Sequence, residues 1–319
     1  HSGREMRCWD LWVGACIGLV LTALGPGCAS TLPDQASRMQ RGYIYYLDGA
    51  GGGGALRNYS RGVRQGLLNA GYPGAGEMFD WETGRGLVAD QEASVEYKRG
   101  KAAELARRIG EFRQQYPVTP VTLVGFSAGT AIAVFALEAL PPGVTVESVV
   151  LLSASLSADY DLTSALQRVE RRMYITTSHR DGMLQYLMPL SGTADRKPIT
   201  HGALGVDGVR LPARVPPETR RQYAKIMTVP WNEEFARLGN RGGHFESVNA
   251  PFIQAIVAPL VMRDAQPVAA PAVAGLVANP DYARWAGFAP GSWVRLRGHQ
   301  LVHGVRTPLA VKNTLVARD

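Results

Sequence analysis

Cysteine is nearly missing from this 319-residue chain: three occur, Cys8, Cys16 and Cys28, and none follows. Residues 29–319 can therefore hold no disulfide framework, whatever compartment the protein occupies. Lysine is scarce as well, with five residues against twenty-nine arginines, and no block of five or six like charges occurs. The net charge of +7 and the pI of about 9.4 are thus spread along the chain as an arginine-rich solvated surface, without the clustered footprint of a nucleic-acid binder. Long apolar runs are lacking too, which excludes a polytopic membrane protein. No H-E-x-x-H, no cysteine pair in the body and no clustering of the six histidines suggests a metal centre, and no G-x-x-x-x-G-K-[ST] suggests a nucleotide loop. No cofactor is implied.

What is present suffices for a large core. The chain is 46% hydrophobic and 19% charged, with 36 glycines, which suggests one large domain plus something small. Residues 6–28 read MRCWDLWVGACIGLVLTALGPGC, a short polar start, an apolar run from Leu11 to Leu24, and a Gly-Pro-Gly break before Cys28. At 1.5 Å per residue that run falls short of a ~30 Å bilayer core, so it reads as a signal peptide. The small residues before Cys28, followed by Ala29-Ser30, resemble the lipobox of bacterial lipoproteins, although Gly25 stands where that motif prefers leucine. The resemblance implies export, lipidation at Cys28 and attachment to a membrane of a bacterial cell envelope. Ordinary cleavage after Ala29 is the alternative.

From Gly42 onward short apolar runs alternate with longer segments of helical period, the pattern of parallel strands buried between two helical layers. Strands are expected at Tyr43–Leu47, Glu77–Trp81, Val121–Phe126, Val146–Leu152, Met173–Thr177 and Ile226–Val229. Helices are expected after the glycine-rich stretch 49–54 (Leu56, Tyr59, Val63, Leu67 and Ala70 on one face), over Asp90–Tyr116, Thr130–Leu140, Tyr160–Val169 and Met183–Leu187, and finally over Phe252–Val261. Residues 191–222 break the rhythm as an inserted loop. Four segments result: 1–28, the targeting segment; 42–262, an α/β domain; 263–278, an Ala/Pro linker; and 279–319, a small β-rich tail.

Gly125-Phe126-Ser127-Ala128-Gly129 is a G-x-S-x-G pentapeptide between an expected buried strand and an expected helix. That context gives the motif meaning: a serine held in a strained turn at the carboxyl edge of a sheet needs glycines two positions away, so that helix and strand can approach. A serine hydroxyl is a weak nucleophile without an adjacent base, and the base needs an orienting group.

Here the sequence resembles the α/β-hydrolase superfamily, whose chain order is serine, acid, histidine. The resemblance implies a three-layer αβα sandwich around a mostly parallel sheet of about six strands, lacking the first two strands of the full fold. It implies Ser127 as nucleophile and His244, in Arg241-Gly242-Gly243-His244-Phe245, as base. Asp181, after the strand ending at Thr177, matches the usual acid position; Asp159 and Asp161, after the preceding strand, are the alternative. The family's oxyanion donors correspond to the N–H groups of Ala128 and of Ala50, in Asp48-Gly49-Ala50-Gly51, where Asp48 replaces the usual histidine.

The implied activity is hydrolysis of small-molecule or lipid esters. Other acyl chemistry on the same triad (peptidase, thioesterase, acyltransferase) and a catalytically silent binding protein on the same scaffold are the competing readings.

Overall fold

The structure is a computed structural model that describes residues 35–52, 58–187, 192–211, 215–264, 293–302 and 305–314. The targeting segment with Cys28 and most of the Ala/Pro stretch lie outside these residues.

In chain order the elements are α1 (Gln35–Met39), β1 (Tyr43–Leu47), α2 (Ser60–Asn69), β2 (Ala75–Met78), α3 (Leu87–Glu92), α4 (Val95–Gln115), β3 (Val121–Phe126), α5 (Gly129–Ala139), β4 (Val146–Leu152), α6 (Thr163–Leu166), β5 (Val169–Thr177), α7 (Leu204–Asp207), α8 (Pro217–Tyr223), β6 (Ile226–Pro230), α9 (Ala250–Phe252) and α10 (Ala258–Asp264). A π-helical stretch, Ile253–Val257, joins the last two. The first six strands form one parallel sheet in the order β2-β1-β3-β4-β5-β6. This is the α/β architecture expected from the sequence. β7 (Trp293–Val302) and β8 (Val305–Thr314) pair antiparallel in a second, two-stranded sheet. Among the described residues no helix is long and apolar enough to cross a membrane.

Alternation along the strands builds two cores. Tyr43, Tyr45 and Leu47 of β1 pack with α4, α5 and α6 through Leu105, Ile109, Ile132 and Leu166. Ile44 and Tyr46 point the other way, onto α2, α9 and the π-helical stretch through Val63, Leu67, Phe252 and Ile253. Both faces of β1 and β3 are covered, so every residue of these strands is buried and they read as continuous apolar runs. α5 is buried from Gly129 to Leu137, which explains why its sequence lacks a polar face.

The element boundaries differ from expectation where a polar side chain or a loop intervenes. β2 ends at Met78 instead of spanning Glu77–Trp81: Phe79 and Trp81 turn into the core, and the Trp81 indole N–H donates to the Asp48 carbonyl at 2.8 Å. The single helix expected over Asp90–Tyr116 is two, because Ser94 takes an extended conformation and its hydroxyl accepts from the Tyr97 N–H, capping α4. The helix expected over Tyr160–Val169 shrinks to one turn because β5 begins early, at Val169. The inserted segment is partly helical; Leu204 and Val206 of α7 are buried, and Ser157 bridges to Ala203.

Candidate active site

β3 feeds directly into Ser127, which sits at φ 51° in the left-handed region. Such a conformation costs a residue bearing a side chain about 1–3 kcal/mol and persists only where the surroundings enforce it. A Cβ on Gly125 would lie 2.9 Å from the Thr130 Cα, and one on Gly129 would lie 2.4 Å from the carbonyl oxygens of Leu47 and Asp48. Both glycines are thus required for α5 to start against the ends of β3 and β1. The Ser127 N–H donates to the Leu152 carbonyl at 2.9 Å, and the Thr130 hydroxyl donates to the Ser127 carbonyl, so the turn is held from both sides.

The three side chains singled out in the sequence meet above this edge of the sheet. His244 Nε2 lies 2.8 Å from Ser127 Oγ, and His244 Nδ1 lies 2.8 Å and 3.1 Å from the two carboxylate oxygens of Asp181. A carboxylate at Nδ1 assigns the ring proton to that nitrogen and leaves Nε2 to accept from the serine hydroxyl. Asp181 is fully buried and also accepts from the Leu184 N–H at 3.1 Å. Phe126 and Phe245 flank the imidazole, with ring centroids 5.1 Å and 5.3 Å away.

The histidine loop reaches the aspartate loop because Gly242, at φ 97°, lets the backbones touch. A Cβ there would fall 2.9 Å from both the Arg180 Cβ and the Ser178 Oγ, and that hydroxyl donates to the Gly242 carbonyl at 2.7 Å. The alternative acids are engaged elsewhere: Asp159 pairs with His201, and Asp161 accepts from the Thr163 N–H at 2.9 Å.

The loop after β1 lies against Ser127. A Cβ on Gly49 would sit 3.1 Å from the Ser127 Cβ, and the neighbouring Ala50 lines the same cavity as Ser127. Among the described residues neither the Ala50 nor the Ala128 N–H has a hydrogen-bond acceptor. Gly49, Ala50, Ser127 and His244 open onto a cavity of about 240 Å³ whose walls include Tyr59, Leu87, Val88, Phe126, Met183, Leu184 and Phe245. No described residue of the inserted segment lines it. Among the described residues no group of three or more His, Cys, Asp or Glu comes together in a way that could hold a metal ion.

Several supporting residues had no signal in the sequence. The fully buried Asp48 carboxylate accepts from the Tyr59 N–H at 3.0 Å, the Ser60 N–H at 2.7 Å and the Ser60 hydroxyl at 2.6 Å. It ties the start of α2 to the loop that carries Gly49 and Ala50. Asp90 holds the other end of that loop, accepting from the Gly51 N–H at 2.8 Å. Ser153, another strained residue at φ 44°, and Ser247 brace the His244 backbone: the Ser247 hydroxyl donates to the His244 carbonyl at 2.9 Å, with Ser153 Oγ 3.0 Å from Ser247 Oγ. A lone serine has no motif, so only the folded chain identifies these roles.

No protein-family model matches the chain, and no curated protein sequence matches it. Solved structures of similar chain course exist. The esterase Pf2001 of Pyrococcus furiosus is 11% identical with a TM-score of 0.44, over 71% of this chain and 84% of that one. A cutinase-like protein from Cryptococcus sp. is 15% identical with a TM-score of 0.39, over 70% and 95%. A dienelactone hydrolase from Anabaena variabilis is 18% identical with a TM-score of 0.38, over 70% and 84%. Likeness at this level assigns neither activity nor substrate, which are left to the geometry of the site.

Proposed function

We propose that the chain is a serine hydrolase that cleaves carboxylic esters through an acyl-enzyme. The observation that supports this is the unbroken hydrogen-bonded path from Ser127 Oγ through His244 to buried Asp181, opening onto a mainly apolar cavity. Ser127 Oγ attacks the acyl carbon while its proton passes to His244 Nε2. The ester C–O bond then breaks as His244 returns that proton to the alcohol oxygen. Water, deprotonated by His244, attacks the acyl carbon, and Ser127 leaves with its proton restored. Asp181 orients His244 and favours the imidazolium. The Ala50 and Ala128 N–H groups receive the oxyanion, each worth about 3 kcal/mol in the transition state.

Export and a lipid anchor at Cys28 belong to the same proposal and rest on the sequence of residues 6–30 alone.

A fluorophosphonate probe tests the core of this reading before any substrate is known. The folded protein is expected to gain the mass of the probe on Ser127, and Ser127→Ala is expected to gain none. Absence of labelling in the folded wild type would instead favour a silent scaffold. Matched ester, thioester and amide substrates then separate ester hydrolysis from other acyl chemistry.

A further inference from the structure

Among the described residues seven large apolar side chains are exposed. Such residues are ordinary on a protein surface when they stand singly. Here four of the seven gather at one place. Leu87, Val88 and Phe245 line the cavity over Ser127 while standing 37%, 64% and 44% exposed, so they form its outer rim. Tyr186, 73% exposed, belongs to the same π-helical turn, Met183–Leu187, as two further lining residues, Met183 and Leu184.

The rim is held in this state by the fold. Buried Asp90 pins α3, accepting from the Thr83 N–H at 2.7 Å, the Thr83 hydroxyl at 2.6 Å and the Gly51 N–H at 2.8 Å, and the helix thereby keeps Leu87 and Val88 at the surface. The Phe245 ring is fixed against Tyr59, with centroids 5.1 Å apart. Apolar groups kept in water carry a free-energy cost that is recovered when a dry surface covers them.

The position of the rim decides what covers it. It borders the opening through which the substrate of the hydrolase reading must enter, so a protein seated there would close the site. A lipid surface would cover the rim and deliver ester through the same opening. Three arginines give that surface its charge: Arg61 follows Tyr59 by two residues, Arg85 precedes Leu87 by two, and Arg241 opens the loop carrying His244 and Phe245. All three are exposed, and their guanidinium groups have no ion pair or hydrogen bond among the described residues. Of the acids in the same segments, Asp90 and Glu246 serve backbone N–H groups, which leaves Glu92. Unpaired cations around an apolar patch fit anionic headgroups.

We propose that this rim docks on a lipid surface bearing anionic headgroups, from which the enzyme draws its ester. The inference rests on the ester-hydrolase reading above and adds to it the physical form in which the substrate is met.

Co-sedimentation with vesicles tests the docking without any turnover. Vesicles of phosphatidylcholine alone are compared with vesicles of phosphatidylcholine and phosphatidylglycerol in equal parts. The wild type is expected to partition about tenfold more strongly onto the mixed vesicles, and less so as salt is raised. Tyr186→Asp combined with Arg85→Glu changes two exposed positions outside the cavity lining. It should lower that partition about tenfold, and cleavage of a long-chain ester carried in the mixed vesicles should fall with it. Melting temperature, fluorophosphonate labelling and hydrolysis of a dissolved short-chain ester should stay near wild type. Val118→Asp is the control: Val118 is 89% exposed just before β3, at the opposite edge of the sheet, and its variant should bind as wild type does. Partition that is absent in the wild type, equal on the two kinds of vesicle, or undiminished in the double variant overturns the inference and leaves the hydrolase reading intact. Failure of Ser127 to label overturns both.

Discussion

Asp181 Oδ2 lies 2.8 Å from His244 Nδ1, across 63 residues of chain, and both side chains are almost wholly removed from solvent. The contact depends on two loops at the carboxyl edge of neighbouring strands, β5 and β6, stitched together where the Ser178 hydroxyl reaches the Gly242 carbonyl. An acceptor held this way sets the tautomer of the imidazole as well as its direction.

Asp181→Asn should therefore fold normally and lower kcat by about 10⁴, because the amide no longer enforces the proton on Nδ1. Asp159→Asn, whose carboxylate is engaged with His201 and Ser157, should stay within about twofold of wild type. Initial rates of ester hydrolysis, with fluorophosphonate labelling as a second readout, compare the two. Equal losses in both variants would remove Asp181 from its assigned role.

Two glycine-to-alanine changes are predicted to move stability in opposite directions. In Gly129→Ala the new methyl meets main-chain oxygens at 2.4 Å, and overpacking against backbone should cost about 1–3 kcal/mol or more. Gly100 sits in α4 with nothing within 4 Å of its missing Cβ, so Gly100→Ala should add about 0.5–1 kcal/mol. Urea denaturation midpoints decide this; a stabilised Gly129→Ala would show that the turn relaxes more freely than its packing indicates.

Asp48→Ala strips an acceptor from three donors at the start of α2 and should destabilise the fold by about 1–3 kcal/mol. The same change loosens the loop carrying Ala50, so kcat should fall further than KM rises, since in the proposed mechanism the Ala50 N–H acts chiefly on the transition state. A loss confined to stability, with kcat intact, would separate Asp48 from the oxyanion loop.

Glu82 gives the protein a pH dependence of known sign. Burial, reinforced by a hydrogen bond with Asp80, raises its carboxyl from the usual 4.5 to about 8, and Glu82 Oε1 is buried without a partner among the described residues. Between about pH 4.5 and pH 8 the folded chain keeps a proton that the unfolded chain has lost, so this group's contribution is fully present below pH 4.5 and declines as pH rises to 8. Glu82→Gln should flatten that part of the stability profile, measured as the difference in unfolding free energy from wild type at each pH. An unchanged slope would contradict the assignment.

Legibility from sequence followed the range of the interactions concerned. β3 and β4 were readable to the residue because strands covered on both faces are predominantly apolar and rich in β-branched residues, with Thr122, Glu147 and Ser148 the polar exceptions. The split between α3 and α4 was not, because helical periodicity runs through Ala93 and Ser94, and only the capping of Tyr97 and the turning of Asp90 toward Gly51 break it. Ser127 could be singled out because its turn places steric demands on residues two positions away, which leave glycines in the sequence. Ser153, Ser247 and Asp48 place no such demands on their neighbours.

Local chemistry along the chain thus determined the alternation of strands and helices, the strained serine turn, and the kinds of side chain available to act on it. The folded arrangement alone decided that Asp181 rather than Asp159 or Asp161 faces His244, and that Asp48 anchors the loop beside Ser127. Those outcomes depend on contacts between residues tens of positions apart, whose distances are set by how the sheet stacks its strands and leave no periodic trace in the order of residues.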